Sequence, residues 1–430
     1  MDVWIALLRD KNFLPTKNRH ISCGKIYISN QNMMNNKNIL ISGAGIAGLT
    51  LANWLKKFGF NPTIVEQAPK IREGGYAIDF FGSGFDVAEK MQLLPDLERR
   101  DLKIQEMAFV DKNNKKHGGL DVFKIRKLVN GRFYNLLRSD LSKLIYDHLD
   151  KNIEFIFGDT ISNIEQNKEG VNITFKSGKV RYFDLVIGAD GLHSVVRSLV
   201  FGSESQFEKY FGYYVSSFTI ENYLNSKNNF LSYNVPKKQV SIYSVAENKL
   251  TALFIFTSDR KLSFDHNDIE KQKNILRSEF NGLSWECPSL LKRLDETSDF
   301  YFDSVSQIQM NQWSQQRVTL VGDACYCPSL LSGQGSTLAM VGAYVLAGEL
   351  KDASGNYEIA FRKYEDQLKS FIEKKQKLAE SFAGKLIPKS QFGIWLRNSF
   401  ENILSSSFLA KWFVKNYMKD KIQLKDYQTT

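Results

Sequence analysis

Four cysteines and five histidines in 430 residues leave little material for disulfide or metal chemistry. Cys23, Cys287, Cys325 and Cys327 make no disulfide framework. The single residue between Cys325 and Cys327 misses the two-residue spacing of zinc and redox pairs. No resident metal is therefore expected, and the low cysteine count points to a reducing cytoplasm. No run of about 18 apolar residues is present to span a bilayer. Internal repeats, low-complexity tracts and the aromatic-and-basic motifs of nucleic-acid modules are missing as well. The formal charge of +10 then reads as general basicity that favours anionic cofactors. What is present, 43% apolar and 24% charged residues, is the composition of a globular protein long enough for two or three domains. Residues 1–34 lack periodicity, and the apolar patch from Asp2 to Leu8 has no basic flank or cleavage site, so it is not a signal peptide. This segment reads as a disordered extension or the product of an upstream start codon, because Met33 and Met34 stand only a few residues before the first strand.

That strand, Asn38 to Ser42, runs into Gly43-x-Gly45-x-x-Gly48. The first glycine permits a tight turn, the second lets a pyrophosphate approach the backbone, and the third lets the next helix pack closely. Apolar residues at helical spacing follow from Leu49 to Phe60, then a second strand, Pro62 to Glu66. Glu66 lies 23 positions after Gly43, close to the distance expected of a carboxylate that holds a ribose hydroxyl. This pattern predicts an adenine-dinucleotide site.

Further along, Gly74-Gly75 opens a loop that is expected to continue through Asp79 to Gly84, and a helix is expected from about Phe85. Residues 105–135 read as short antiparallel strands. Leu137 to Leu141 starts a helix with Ser139 or Asp140 as its N-cap. Strands are expected over 153–157, 161–166, 171–175 and 181–187, the last buried on both faces. From 203 to 310, aromatic and β-branched runs separated by polar turns predict an antiparallel sheet with one face lining a pocket. Tyr213, Phe218, Tyr243, Phe254 and Phe256 are its candidate walls, though each suits the core of a sheet equally well. A buried strand ending at Gly322-Asp323 comes next, then helices over 335–350 and 357–382. An amphipathic stretch, 392–418, carries Trp395, Phe400, Leu404, Trp412 and Phe413.

Two more motifs match the first: Asp184-Leu-Val-Ile-Gly-Ala-Asp190-Gly191-Leu-His-Ser194-Val-Val-Arg197, and Gly322-Asp323-Ala-Cys-Tyr-Cys-Pro328-Ser-Leu-Leu-Ser-Gly333-Gln334-Gly335. In this order and spacing, over nearly all of 38–350, the chain resembles the class A flavoprotein monooxygenases, the aromatic-hydroxylase group. The resemblance implies an α/β fold: a Rossmann-like FAD-binding domain, an inserted antiparallel-sheet substrate domain and C-terminal helices. Residues 35–202 and 311–355 would form the first, 203–310 the second and 356–430 the third. Gly43, Gly45, Ala47, Gly48 and Glu66 would hold the ADP half of FAD, and Arg138 the flavin side. Asp190 and Gly191 would serve both FAD and the nicotinamide donor. Asp323 would take ribityl or ribose hydroxyls, with Pro328 and Gly333-Gln334-Gly335 near the isoalloxazine ring. On the residues alone, Asp190 also suits a turn, Arg197 a surface ion pair, and His193 a cap or packing role.

Where the family has Ala-His, this chain has Cys325-Tyr326; where it has Asn, Thr337; and where it has Asp-Ala, Gly342-Ala343. Together with Arg72-Glu-Gly-Gly-Tyr-Ala-Ile-Asp79, Cys327-Pro328-Ser329 and Val341 to Leu350, these departures are similar to one branch, the tetracycline-inactivating monooxygenases or tetracycline destructases. Within it Arg72 would approach the flavin, Asp79 would lie on the nicotinamide or substrate side, and 392–418 would suit a lid over the substrate; a docking helix or dimer contact fits that stretch equally well. The resemblance implies a monomer in which NADPH or NADH reduces FAD and O2 adds to give a C4a-hydroperoxyflavin, whose terminal oxygen passes to tetracycline or a related polycyclic phenol. Two alternatives remain: hydroxylation of another aromatic or polyketide metabolite, and a non-catalytic FAD-binding protein.

Overall fold

The apolar run after Asn38 forms a strand buried at every following position, β1 (Asn38–Ser42), which leads into α1 (Ile46–Lys57) and β2 (Asn61–Glu66). The computed structural model describes residues 35–430 apart from 73, 247, 266–267, 383–386, 405–410, 412–413, 415–417, 419–421 and 429–430. The extension expected over 1–34, Trp412 and Phe413, and the side chains of Phe400 and Leu404 lie outside what is described.

After β2 come β3 (Ala77–Phe81), α2 (Ser83–Lys90), α3 (Leu94–Arg100), β4 (Glu106–Val110), β5 (Lys116–Asp121), α4 (Val122–Leu128), β6 (Phe133–Leu137) and α5 (Arg138–Asp147). Next are β7 (Glu154–Phe157), β8 (Ile161–Gln166), β9 (Val171–Phe175), β10 (Val180–Phe183), β11 (Leu185–Gly188) and α6 (Val195–Val200). Long strands follow: β12 (Glu208–Glu221), β13 (Asn229–Val235), β14 (Lys238–Ala246) and β15 (Lys249–Thr257). Then come α7 (Ile269–Phe280), α8 (Cys287–Lys292) and β16 (Tyr301–Ile308). The chain closes with β17 (Ser314–Gln315), β18 (Val318–Leu320), α9 (Asp323–Tyr326), α10 (Gly335–Asp352), α11 (Tyr357–Phe382) and α12 (Gln391–Leu404).

The first sheet has the order β17-β18-β11-β1-β2-β7, parallel from β18 onwards. Its register sets Leu320, Gly188, Ser42 and Val65 side by side, so four carboxyl ends open on one edge. The chain order reverses at β1, with β2 on one side and β11 on the other, and an open parallel sheet leaves a crevice at such a point. α1 and α10 cover the sheet, Trp54 meeting Tyr344 edge-on at 4.8 Å.

The second large sheet runs β16-β12-β15-β14-β13-β4-β5. Alternation gives it two unlike faces. Tyr214, Phe218, Phe254, Phe256 and Phe302 point to one, where Leu276, Phe280 and Leu290 from α7 and α8 complete an apolar core. Tyr213, Val215, Ser217, Thr219, Ser232, Ser241, Tyr243 and Thr251 lie on the other. That second face meets β3, where the Ala77 N–H donates to the Tyr243 hydroxyl at 2.7 Å, and Ile387, which packs on Tyr213 and Val215.

Four local expectations need correction. The loop expected from Gly74 to Gly84 contains β3, whose partner β6 lies more than 50 residues on, so nothing local announces it. Among the strands expected over 105–135 sits α4, because Asp121 accepts from the Lys124 N–H at 3.0 Å and starts a helix. Neither Ser139 nor Asp140 caps α5; β6 runs straight into it at Arg138, with Leu137 as N-cap. The strand expected over 181–187 breaks at Asp184, β10 joining an antiparallel trio with β9 and β8 while β11 enters the parallel sheet. The antiparallel sheet expected over 203–310 is present as β12 to β16, but β4 also joins it, parallel to β13. Among the described residues no helix is long and apolar enough to cross a membrane.

The chain end straps across α10. Tyr427 is fully buried, its ring against Gly348, and its hydroxyl donates to Glu349 at 2.6 Å. Its carbonyl accepts from Lys351 and its N–H donates to the Tyr344 hydroxyl. Replacing this ring with alanine leaves a cavity and an unpaired carboxylate, so Tyr427→Ala should lower unfolding free energy by about 3 kcal/mol. Tyr427→Phe, which keeps the ring, should lose about 1 kcal/mol. Urea unfolding of both variants measures the difference.

Candidate cofactor site

The glycine loop after β1 shows three different surroundings. Gly43 has φ +104°, and a Cβ there would sit 2.6 Å from the Ala189 carbonyl oxygen. A Cβ on Gly48 would sit 2.0 Å from the Gly43 oxygen. A Cβ placed on Gly45 would meet nothing within 4 Å, so the amino end of α1 opens to free space there. Glu66, at the end of β2, reaches back over this loop and accepts from the Ala44 N–H at 2.8 Å and the Ala68 N–H at 2.9 Å. Ala47 packs against Gly322, which brings the turn after β18 onto the same helix end.

Asp323 follows that turn, and Gly335 at the start of α10 lies beside its carboxylate. The loop between them is clamped: Gln307 donates to the Pro328 carbonyl at 3.0 Å and to the Gln376 carbonyl at 2.9 Å. Ser329 takes φ +80°, a strained conformation for a side-chain-bearing residue. Gln334 is buried, and the Cβ position of Gly333 opens to free space. After β11, Asp190 accepts from the Ser194 hydroxyl at 2.5 Å and the Val196 N–H at 3.0 Å, which caps α6; the Ser42 hydroxyl lies 3.5 Å away.

Behind these loops lies a group of which the sequence singled out only Arg138 and Asp323. The Arg138 N–H donates to the Tyr76 carbonyl, and the Tyr76 ring lies 5.5 Å from that of Tyr301, two residues before buried Asp303. Burial pushes the Asp323 carboxyl up while Arg138 opposes it. Burial works against the Arg138 charge, but Tyr76, Asp323 and Tyr301 outweigh it and strengthen its hold on the proton. The Tyr76 phenol is pushed up to about 12 by burial, against Arg138. Yet Tyr76, Tyr301 and Asp323 are only partly covered and Arg138 is exposed. Groups that are deep in the fold and still accessible line a cavity. Tyr76 and Tyr301 carry no sequence signal, since each reads as one aromatic among many; only the pairing of β3 with β6 and the packing of β16 bring them to Arg138.

Arg72 and Asp79 stand apart from that group. Arg72 is exposed and 4.0 Å from Glu66. Asp79 accepts from Asn135 at 2.6 Å, and burial raises its carboxyl although it faces open space. The five aromatic candidates divide between the sheet faces. All five are buried: Phe218, Phe254 and Phe256 against α7 and α8, on the side away from β3, and Tyr213 and Tyr243 on the face that meets β3 and Ile387. Arg197 is no surface residue: it is fully buried, paired with Glu204 at 2.9 Å. His193 neither caps nor merely packs; it bridges Glu204 and Asp303.

Tyr326 and Gly342 turn out to be one packing contact. The Tyr326 hydroxyl occupies the place of a Cβ on Gly342, at 1.8 Å from it. The ring packs 4.8 Å from Trp313. Thr337 donates to the Phe81 carbonyl at 2.9 Å and so ties α10 to the end of β3. Together, the open glycine loop, the helix end, carboxylates on either side and an accessible deep arginine suit an extended dinucleotide such as FAD. Among the described residues no three His, Cys, Asp or Glu side chains cluster as a metal site.

Comparison with known proteins agrees with that fit. The family model described as "FAD binding domain" matches residues 36–355. A flavin-dependent monooxygenase of Legionella longbeachae is 38% identical over 373 residues, covering 86% of this chain and 90% of the relative. The crystal structure of the tetracycline destructase Tet(51) is 32% identical with TM-score 0.78, covering 90% of this chain and 99% of that one. Klebsiella pneumoniae HpxO, solved with FAD and uric acid, shares the fold at 20% identity and TM-score 0.71 over 92% of this chain and 100% of that one.

The Tyr326–Gly342 contact leaves no room for a methyl group. Gly342→Ala should destabilise the protein by about 2 kcal/mol through overpacking, despite alanine's better helix propensity. Thermal unfolding checks this, and Gly355→Ala, at a left-handed turn position against the Asn35 carbonyl, should be no milder.

Proposed function

The chain belongs to the FAD binding domain family and is a flavin-dependent monooxygenase, and from that premise we propose that it hydroxylates a tetracycline or a related polycyclic phenol with NAD(P)H and O2. The observation that carries the substrate is the likeness to a tetracycline destructase along nine-tenths of the chain. The departures at Tyr326 and Gly342, accommodated as one packing contact, support the same branch.

When bound, FAD supplies the activation of oxygen, after reduction by the nicotinamide donor. The chain's residues hold the cofactor, orient the substrate and exclude water. In this reading the amino end of α1 and Gly45 receive the pyrophosphate, Glu66 accepts from the adenosine ribose, and Asp323 accepts from the ribityl hydroxyls. Arg138 places a fixed positive charge beside that carboxylate, and Gly333 to Gly335 leave room for the flat ring. Residues 35–202 and 311–355 form the FAD-binding part. The hydroxyl-bearing face of the sheet in 203–310, with Tyr213 and Tyr243, faces the substrate, and the helices of 356–430 close over it. Ile387, buried against Tyr213, and α12, whose Asn398 backbone presses on Gly118 of β5, suit that closing role.

The direct test is oxidation of NADPH, and of NADH in parallel, by the FAD-loaded protein with and without tetracycline. Drug-dependent oxidation with a product about 16 Da heavier, one oxygen atom, is expected. Oxidation that ignores tetracyclines but depends on another phenol would move the substrate assignment. Oxidation that yields only peroxide across a panel of phenols would sink hydroxylation. Asp323→Asn should weaken FAD binding roughly 10- to 100-fold by removing a charged acceptor, while leaving the fold intact.

A further inference from the structure

The Asp190 and Asp323 loops leave the carboxyl ends of neighbouring strands, β11 and β18, and a separate ionic network ties them together behind the cavity. Its centre is Arg197, fully buried on α6. Its guanidinium donates to the Ala324 carbonyl at 2.9 Å, to the Leu192 carbonyl at 2.7 Å and to Glu204 at 2.9 Å. His193 continues the chain, with Nδ1 3.0 Å from Glu204 and Nε2 3.1 Å from Asp303. The Tyr301 hydroxyl lies 3.4 Å from the other Asp303 oxygen.

Each end of this network sits one or two residues from a cavity residue. Leu192 follows Gly191, Ala324 follows Asp323, and Asp303 follows Tyr301, whose ring meets Tyr76. Charge explains why a histidine stands in the middle. Carboxylate oxygens of Glu204 and Asp303 lie against both ring nitrogens of His193, and only the protonated imidazole can donate to both. Burying an unbalanced carboxylate is costly.

We propose that His193 is a positioning residue: as a cation it locks the 190–193, 301–303 and 323–324 segments at the spacing that FAD binding requires. This rests on the flavoprotein reading of the site. The imidazole is suited to the task, because burial alone would lower its pKa, but the bonds to Asp303 and Glu204 raise it to about 10. The groups facing it include Asp303 from β16, Glu204 from the 3-10 turn 204–206 and, through Glu204, Arg197 of α6 and Lys261 of the loop after β15. The proton is therefore held below about pH 10 and the lock opens above it.

FAD titration of the apoprotein, followed by flavin fluorescence from pH 7 to 11, tests this without any turnover. Wild type should bind tightly at pH 7 and lose affinity as the pH passes about 10. His193→Gln should bind about 10-fold more weakly at pH 7, equivalent to about 1.4 kcal/mol, with a flatter pH profile. His193→Arg, whose charge does not titrate in this range, should bind like wild type at pH 7 and keep that affinity above pH 10. Ionisation of FAD itself is common to all the proteins, so the difference between wild type and His193→Arg isolates the imidazole. Glu204→Gln tests the lock from the other side and should weaken binding in the manner of His193→Gln. The proposal falls if His193→Gln binds as tightly as wild type. It falls equally if His193→Arg, with an unchanged melting temperature, binds no better than His193→Gln. If His193→Gln does not fold, the wild-type profile against His193→Arg decides. Wild-type apoprotein that binds no FAD at all would refute the flavoprotein reading instead.

Discussion

The alignment of four carboxyl ends in the parallel sheet governs everything else in this protein. β18, β11, β1 and β2 finish level with one another, so the turns that follow them project to one side, and each turn carries a chemical group: Asp323, Asp190, the Gly43 loop and Glu66. Level ends require backbone approaches that side chains would block. A Cβ on Gly188 would strike Leu320 and Val196, as one on Gly43 would strike Ala189. Those close contacts seat α1 with its amino end facing outward, where unpaired N–H groups and the helix dipole can meet phosphate. Packing, at this edge, sets the electrostatics of the site.

The second sheet brings a different constraint. Its strands alternate strictly, so one register decides whether an aromatic residue packs against α7 or faces the cavity side. Phe218 and Phe254 fall on the first face and Tyr243 on the second, although all three sit in similar aromatic surroundings in the chain. The face toward β3 and Ile387 is rich in serine and threonine, most of them buried, with Ser232 and Ser241 paired at 3.0 Å. The opposite face is almost wholly apolar and anchors the sheet. The fold thus joins two sheets with opposite rules: a parallel one whose ends matter, and an antiparallel one whose faces matter.

Between them lies a layer of charge that neither sheet supplies alone. Arg138 comes from the junction of β6 and α5, Tyr301 and Asp303 from β16, and Asp323 from the turn after β18. Burial holds the carboxyl of Asp323 and the phenol of Tyr76 toward their protonated forms, and Arg138 pulls both back. The His193–Glu204–Arg197 network fixes the spacing from behind. His193 and Arg197 belong to a motif that reads locally as a helix start, and the network they form with Glu204 is complete only when β16 seats Asp303 beside it.

The sequence by itself determined the glycine loop, Glu66, and the two later Asp motifs, because each depends on short-range chemistry: a turn needing positive φ, a close helix contact, a carboxylate at a strand end. It also determined the long helices α10, an apolar run buried at nearly every position, and α11, whose apolar periodicity runs over many turns. Tertiary structure alone decided the rest. The pairing of β3 with β6, the break at Asp184, the inward turn of Arg197 and the faces taken by Phe254 and Tyr243 all depend on partners far along the chain. Tyr326 and Gly342 looked like two separate departures in the sequence and are one contact in the fold. A local pattern encodes what a residue can do; only the packing of distant segments sets which groups it meets, because burial and pairing are properties of the space around a side chain.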